Sequence, residues 1–248
     1  MATVRIVQLA TPNIDQYARY SIASVRKYAL AHHYEYFVQR SKTLTDVHIN
    51  WTRLDTLLKK MEEMPEGDDR YAVMIDADTV IINPSLSIEY FIEKYQQEDT
   101  AIFMATDTPF RLDFKKIPNA GFVIVKNNAT GQSIIREWIH AAYHEGRKYK
   151  DMHPPTQLVY WNCIEPHYKE KQVVIPGNYF HKPLWYVPKP PKTKRFLYHI
   201  TSTGRNKRQM LMQRFYEKSC NDEQNLREVD EILNNGRENV ITILDSQS

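Results

Sequence analysis

Several things that would assign this chain to a class at once are missing from it. It has two cysteines in 248 residues, Cys163 and Cys220. Two thiols build neither a disulfide framework nor a cysteine-rich zinc site, and they read as reduced thiols of a cytosolic protein. Charge of one sign is also missing. The 33 Lys and Arg stand against 30 Asp and Glu, a net +3, too little for a nucleic-acid binder. No apolar run approaches the roughly 20 residues of a membrane span. The longest, Ala120–Val125, has the length of a strand. The N-terminus, MATVRIVQLA, lacks the charged-then-apolar layout of a signal peptide. With 7 glycines the chain is not collagenous. The expectation is a cytoplasmic protein with no signal peptide, no membrane span and no nucleic-acid partner.

What is present is ordinary globular material: 42% hydrophobic and 25% charged residues, in a chain long enough to bury a core without staples. The first half alternates. Val4–Ala10, Tyr34–Gln39, Tyr71–Ile75, Thr100–Ala105 and Gly121–Val125 read as strands. Between them lie helical stretches: one ending near Ala31, one capped by Asn50 with Trp51, Leu54, Leu57, Leu58 and Met61 at helical spacing, then Leu86–Tyr95 and Thr130–Glu145. Such alternation predicts an α/β domain around a mostly parallel sheet. The second half is rich in proline loops, with a strand at Phe196–Ile200. From Arg205 the chain is polar and helical, with a thin stripe of Leu226, Val229 and Leu233 and a strand-like Val240–Leu244. The division expected is a main domain over 1–208, and over 209–248 a helical C-terminal extension or a linker to a further domain.

The chemistry concentrates at Asp76-Ala77-Asp78. Two carboxylates stand two residues apart, just past the carboxyl end of a buried strand, where open α/β sheets bind ligands. Close carboxylates repel unless something positive joins them. A hard divalent cation, Mn²⁺ or Mg²⁺, does so and can also hold a diphosphate. A solvated acidic turn is the plain alternative. A metal–diphosphate site suits glycosyl transfer, in which negative charge builds on the departing nucleoside diphosphate. The reaction needs further parts. His199, ending the strand Phe196–Ile200, is an acceptable third ligand as a neutral imidazole. Gly204 allows close backbone approach, and Lys207 reaches phosphate oxygens. The plain alternatives are a structural strand-end histidine and the solvated start of a helix.

Taken together, Asn50-Trp51-Thr52-Arg53, Met61, the run from Tyr71 to Thr79, Pro118-Asn119-Ala120-Gly121-Phe122, Trp138 and His199 resemble the metal-dependent retaining glycosyltransferases of the GT-A fold. The layout is most similar to the galactosyl-, xylosyl- and mannan-type family, and more distantly to the glycogenin-like one. It also looks like the glycosyltransferases with which chloroviruses modify their major capsid protein. The resemblance spans about residues 3–208 and implies a GT-A, Rossmann-like fold: a mixed, mostly parallel central sheet flanked by helices, here with a C-terminal helical extension. It implies Mn²⁺ (or Mg²⁺) on Asp76, Asp78 and His199, and a UDP-sugar donor. Thr11 and Tyr17 would contact the base or ribose, Arg53 would sit near the diphosphate, and Ala77, Gly204 and Lys207 would complete the nucleotide site. Asn119, Ala120 and Gly121 would line the donor sugar, with Asp107 accepting from its hydroxyls and Gln157 under the anomeric carbon. Asp78, Asp107 and Gln157 would thus carry the reaction. The partners implied are a nucleotide-sugar donor, an oligosaccharide acceptor on a protein, and further domains of the same polypeptide; in a viral setting the location is the host cytoplasm.

One departure bears on the sugar. Where the family carries an acid-rich segment, Pro155-Thr156-Gln157-Leu158 keeps only the glutamine. Fewer acids suit a donor with fewer hydroxyls, a deoxyhexose such as L-rhamnose, as well as a hexose. Transfer is expected with retention, a donor phosphate oxygen taking the acceptor's proton. Inversion would need an opposed carboxylate base, for which Asp113 and Asp151 are the candidates. Trp185, Tyr186, Tyr179 and His181 offer faces for an acceptor sugar. Two other classes share the motif. A haloacid-dehalogenase-type phosphatase would use Asp76 as nucleophile, but carries its motif early and follows it with another acidic pair. A metal-dependent sugar-binding module would bind without transfer.

Overall fold

In a computed structural model of the chain, residues 2–107, 117–181, 195–201, 203–236 and 239–244 are described, those at 178 and 181 by their backbone only. The elements run β1 (Thr3–Leu9), α1 (Asp15–His32), β2 (Glu35–Gln39), α2 (Thr52–Glu62), β3 (Arg70–Ile75), β4 (Thr79–Ile81), α3 (Ile88–Tyr95), β5 (Ile102–Thr106) and β6 (Pro118–Lys126). They continue with α4 (Ala129–Ala141), α5 (Pro155–Val159), α6 (Glu165–Tyr168), β7 (Gln172–Ile175), β8 (Phe180–His181), β9 (Leu197–His199), α7 (Arg205–Ser219), α8 (Glu223–Asn235) and β10 (Val240–Leu244).

A seven-stranded sheet has the order β10-β2-β1-β3-β6-β5-β7. β1 is parallel to both β2 and β3, and β7 is parallel to β5. β6 runs against β3 and β5, and β10 against β2. The sheet is therefore mixed and mostly parallel, as the alternation predicts. Successive strand side chains point to opposite faces, and each face has its own core. Ile6, Val73, Ile75 and Ile124 meet Ile22 and Tyr28 of α1 and Phe91 of α3. On the other face Val7, Met74 and Val123 meet Leu54 and Leu57 of α2 and Ile134 and Trp138 of α4. All nine residues of β6 are buried, Asn119 and Lys126 included, so the strand begins at Pro118, before the stretch expected to be strand.

The structure refines several expectations. Asn50 does not cap α2: its N–H is donated to His48 Nδ1, 3.2 Å away, and a short 3₁₀ turn at Ile49–Trp51 leads into the helix. α4 begins after Asn128, whose Oδ1 accepts from Gly131 N at 3.0 Å, and ends at Ala141 rather than Glu145. Asn128 is the stronger cap because its short side chain reaches the third helical N–H. α7 starts at Arg205 and runs across position 208, β10 adds an edge to the main sheet beside β2, and Arg26 of α1 donates to Asn225 of α8 at 2.6 Å. Among the described residues no helix is long and apolar enough to cross a membrane.

A second, small sheet of β4, β9 and β8 positions the site. β4 has three residues, too few for a periodic signal, and it pairs antiparallel with β9: Thr79 with His199, Val80 with Tyr198, Ile81 with Leu197.

Candidate active site

The Asp76-Ala77-Asp78 turn is fixed by its backbone. Asp76 N donates to Gly121 O of β6 at 2.9 Å, while its carbonyl accepts from Thr79 Oγ1 at 2.7 Å and from Gln8 Nε2 at 3.2 Å. Asp78 O accepts from Ile200 N at 2.8 Å, just past the end of β9. Ala77 is buried beneath the turn. With the backbone pinned at both ends, the two carboxylates have little freedom except about their own side-chain bonds.

The pairing of β4 with β9 delivers His199 to them. Its Nε2 lies 3.1 Å from Asp78 Oδ1 and 3.4 Å from Asp76 Oδ2. The outer oxygens face arginines. Arg53 of α2 donates through one terminal nitrogen to Asp76 Oδ1, and through the other to Thr156 Oγ1 of α5 at 2.7 Å. Arg208 of α7 places Nε 3.6 Å from Asp78 Oδ2. Burial works against the His199 charge, but the Asp78 and Asp76 carboxylates outweigh it and hold the imidazolium up to about 9. Burial likewise works against the Asp76 charge, and Arg53 with His199 outweighs it, holding the carboxyl down to about 2.

One ligand atom each from Asp76, Asp78 and His199 lie within 4.8 Å of one another. Two carboxylate oxygens and an imidazole nitrogen are a donor set suited to Mn²⁺, or to Mg²⁺ with more water. The residues present therefore fit the divalent cation that the sequence implies. Gly121 makes the packing possible. A Cβ there would come 2.8 Å from both His199 Nδ1 and Asn119 Oδ1, so glycine is required for the ring to lie on β6.

The expected nucleotide residues lie before and in α1 and at the start of α7. Thr11 follows β1 and donates its hydroxyl to Asn13 Oδ1 at 2.5 Å. Tyr17 is buried in α1, its ring 5.3 Å from the Arg208 guanidinium carbon, which links it to the Asp78 cluster. Gly204 precedes α7 and meets nothing within 4 Å where a Cβ would stand. Its backbone has room beside it. Lys207 is exposed on the first turn of α7.

Gln157 links two of the expected sugar residues. Its Oε1 accepts from Ala120 N at 2.9 Å and its Nε2 donates to Asp107 Oδ2 at 2.7 Å. These two partners determine which way the amide faces. Asn119 Oδ1 accepts from Gly121 N at 2.8 Å. Trp138, on α4, secures α5 by donating to Thr156 O at 2.9 Å.

Two other sequence candidates stand apart, Tyr179 and Asp151. Tyr179 is buried, and its hydroxyl lies 3.0 Å from that of Tyr90, 2.9 Å from Lys94 Nζ and 3.1 Å from the Tyr95 hydroxyl. Its ring packs the core instead of facing a sugar. Asp151 is exposed and paired with Lys150 at 3.3 Å. Asp113, Trp185 and Tyr186 lie outside the described residues, as does the side chain of His181. Sequence reasoning missed Arg208, Thr156, Gln8 and Thr79. Arg208, Thr156 and Gln8 act across separations that only the folded chain closes, whereas Thr79 bonds Asp76 O three residues back in the chain and lies beside the aspartate pair.

Residues 4–118 match the model of the galactosyl transferase GMA12/MNN10 family. No curated protein matches the chain in sequence. Among solved structures it is similar to a glycosyltransferase involved in the glycosylation of the major capsid of PBCV-1, at TM-score 0.70 and 16% identity, over 86% of this chain and 99% of that one. It is also similar to the galactosyltransferase LgtC, at TM-score 0.52 and 12% identity, over 91% of this chain and 99% of that one. A third is mouse xyloside xylosyltransferase 1, at TM-score 0.52 and 8% identity, over 81% and 97%. At these identities the likeness is one of fold, and the fold is GT-A. With the family match, the chain is a glycosyltransferase of the GT-A type.

Proposed function

We propose that this GT-A glycosyltransferase moves a sugar from a UDP-sugar to a protein-linked oligosaccharide, with retention, around a divalent cation held by Asp76, Asp78 and His199. The observation that carries the reading is the convergence of those three ligand atoms at the carboxyl end of β3. When bound, the cation supplies positive charge to the diphosphate as the C1–O bond breaks. The rest falls to the chain. Asp76 and Asp78 are presented by a turn held through Asp76 N, Asp76 O and Asp78 O, so little reorganisation precedes binding. Lys207 projects from the first turn of α7, whose free N–H groups favour an anion. Tyr17 and Thr11 flank the base and ribose.

Gln157 presents its amide to the anomeric centre in an orientation fixed by Ala120 and Asp107. Asp107 and Asn119 accept from the donor's hydroxyls. The acceptor hydroxyl approaches the face the diphosphate leaves, and a phosphate oxygen takes its proton, so the protein contributes position and field. With Gln157 in place of the acid-rich segment, the donor is a hexose or a deoxyhexose such as L-rhamnose. The likeness to a capsid glycosyltransferase favours a viral capsid protein as the glycan's carrier, and the host cytoplasm as the place. The phosphatase and the non-catalytic module are set aside by the family match and the fold.

A panel of UDP- and GDP-sugars, titrated by calorimetry with and without Mn²⁺, tests the donor. UDP-sugar binding that needs Mn²⁺ supports the reading; equal binding in EDTA contradicts it. Anomeric configuration of the product by NMR tests retention, and an inverted product removes the front-face route.

A further inference from the structure

We propose that Arg208 is a positioning residue for the metal site, aiming Asp78 at the ion without touching it. The inference rests on the metal-site reading above and goes beyond it, since Arg208 is neither a ligand nor a member of the expected nucleotide set. The four carboxylate oxygens divide into two kinds. The inner pair, Asp76 Oδ2 and Asp78 Oδ1, converges on His199 Nε2 at 3.4 and 3.1 Å. The outer pair is held from outside: Asp76 Oδ1 by Arg53 and Asp78 Oδ2 by Arg208, at 3.6 Å in the second case. Each carboxylate thus turns one oxygen inward because an arginine claims the other.

Arg208 is itself fixed. Its Nε donates to Ile200 O at 3.1 Å, and Ile200 N donates to Asp78 O at 2.8 Å. The arginine, the residue after His199 and the aspartate form one closed ring of contacts. Tyr17 supports the guanidinium from the other side at 5.3 Å. Groups that orient a ligand carboxylate in this way typically change metal affinity by about ten- to a hundred-fold when removed.

The sign of the effect separates this role from simple charge. A cation beside a metal site repels the metal, so removing Arg208 would tighten binding if Coulomb repulsion were its only influence. Loss of positioning weakens it instead. The test is titration with Mn²⁺ alone, free Mn²⁺ being counted by electron paramagnetic resonance, on the wild type, Arg208→Gln, Arg208→Lys and Asp78→Asn. Arg208→Gln is expected to weaken Mn²⁺ about ten- to a hundred-fold. Lysine should not restore it, because it cannot reproduce the Nε contact to Ile200. At saturating Mn²⁺ the nitrogen coupling from His199 should persist in Arg208→Gln, whereas a collapsed site would lose it.

Unchanged or tighter Mn²⁺ in Arg208→Gln overturns the proposal, as does loss of the nitrogen coupling. If the glutamine variant fails to fold, wild-type affinity in Arg208→Lys overturns it equally. A wild type that does not bind Mn²⁺, or an Asp78→Asn variant that binds it as well as wild type, defeats the metal site itself, a result distinct from failure of the arginine's role.

Discussion

His199 stands directly opposite Thr79 in the antiparallel ladder of β4 and β9. Thr79 follows Asp78 in the chain, so this single pairing register sets the imidazole against both carboxylates. Shifting the register by one residue would turn His199 to the other face of the small sheet. The site therefore depends on a strand of three residues as much as on its ligands.

Asp78→Asn tests the ligand set. Asparagine keeps the shape and the backbone bond to Ile200 but loses the anionic oxygen that meets His199. We expect Mn²⁺-dependent binding of UDP to disappear in calorimetry while circular dichroism stays that of the wild type. Retained Mn²⁺-dependent binding would contradict the assignment of Asp78.

Gly121→Ala tests the packing beneath the histidine. The added methyl would stand 2.8 Å from His199 Nδ1 and from Asn119 Oδ1, and the Gly121 carbonyl is tied to Asp76 N at 2.9 Å. Overpacking of this kind costs about 1–3 kcal/mol, to be read from denaturant unfolding in EDTA. Mn²⁺ affinity should fall as well, because the ring must move. A variant with wild-type stability and affinity would show that the ring has room.

In metal-free protein, His199 has its proton affinity raised from 6.5 to about 9 by the net pull of the carboxylates over burial. Its contribution to stability is then complete below pH 6.5 and is lost as pH rises through about 9. Asp76 is depressed from 3.8 to about 2, so its contribution is present above 3.8 and is lost as pH falls through about 2. Unfolding free energy in EDTA should decline between pH 6.5 and 9 in the wild type, and less steeply in His199→Asn. Parallel curves would contradict the charged histidine.

Lys207→Ala tests the anion site. Lys207 is exposed, so the fold should be unaffected. Affinity for UDP should fall by several-fold to about tenfold, matching roughly 1 kcal/mol for one charge-assisted contact, while uridine affinity should not change. Equal losses for both ligands would make the lysine structural.

Much of this molecule is legible in the sequence, for physical reasons that differ by element. The strand Arg70–Ile75 announces itself because burial on both faces demands a continuous apolar run, here Tyr71–Ile75, whereas Thr3–Leu9 is carried by Val4, Ile6 and Val7 around Arg5 and Gln8. Asp76 and Asp78 stand out because charge directly after such a run needs a partner. β4 and β7, of three and four residues, are too short for periodicity to register. The roles of Arg208 and Thr156 arise only from contacts closed by the tertiary fold, which no spacing encodes. Tyr179 misleads for the opposite reason. An aromatic among proline loops looks available to a sugar, yet its hydroxyl finds Tyr90, Tyr95 and Lys94 and the ring is buried.

The most direct test of the account is a crystal grown with UDP and Mn²⁺, with anomalous diffraction used to locate the manganese. The account predicts one strong peak bonded to Asp76, Asp78 and His199 Nε2 and to the diphosphate, with Arg208 still on the outer oxygen of Asp78. A peak elsewhere, or UDP bound with those three side chains still paired only to one another and to the arginines, would contradict it.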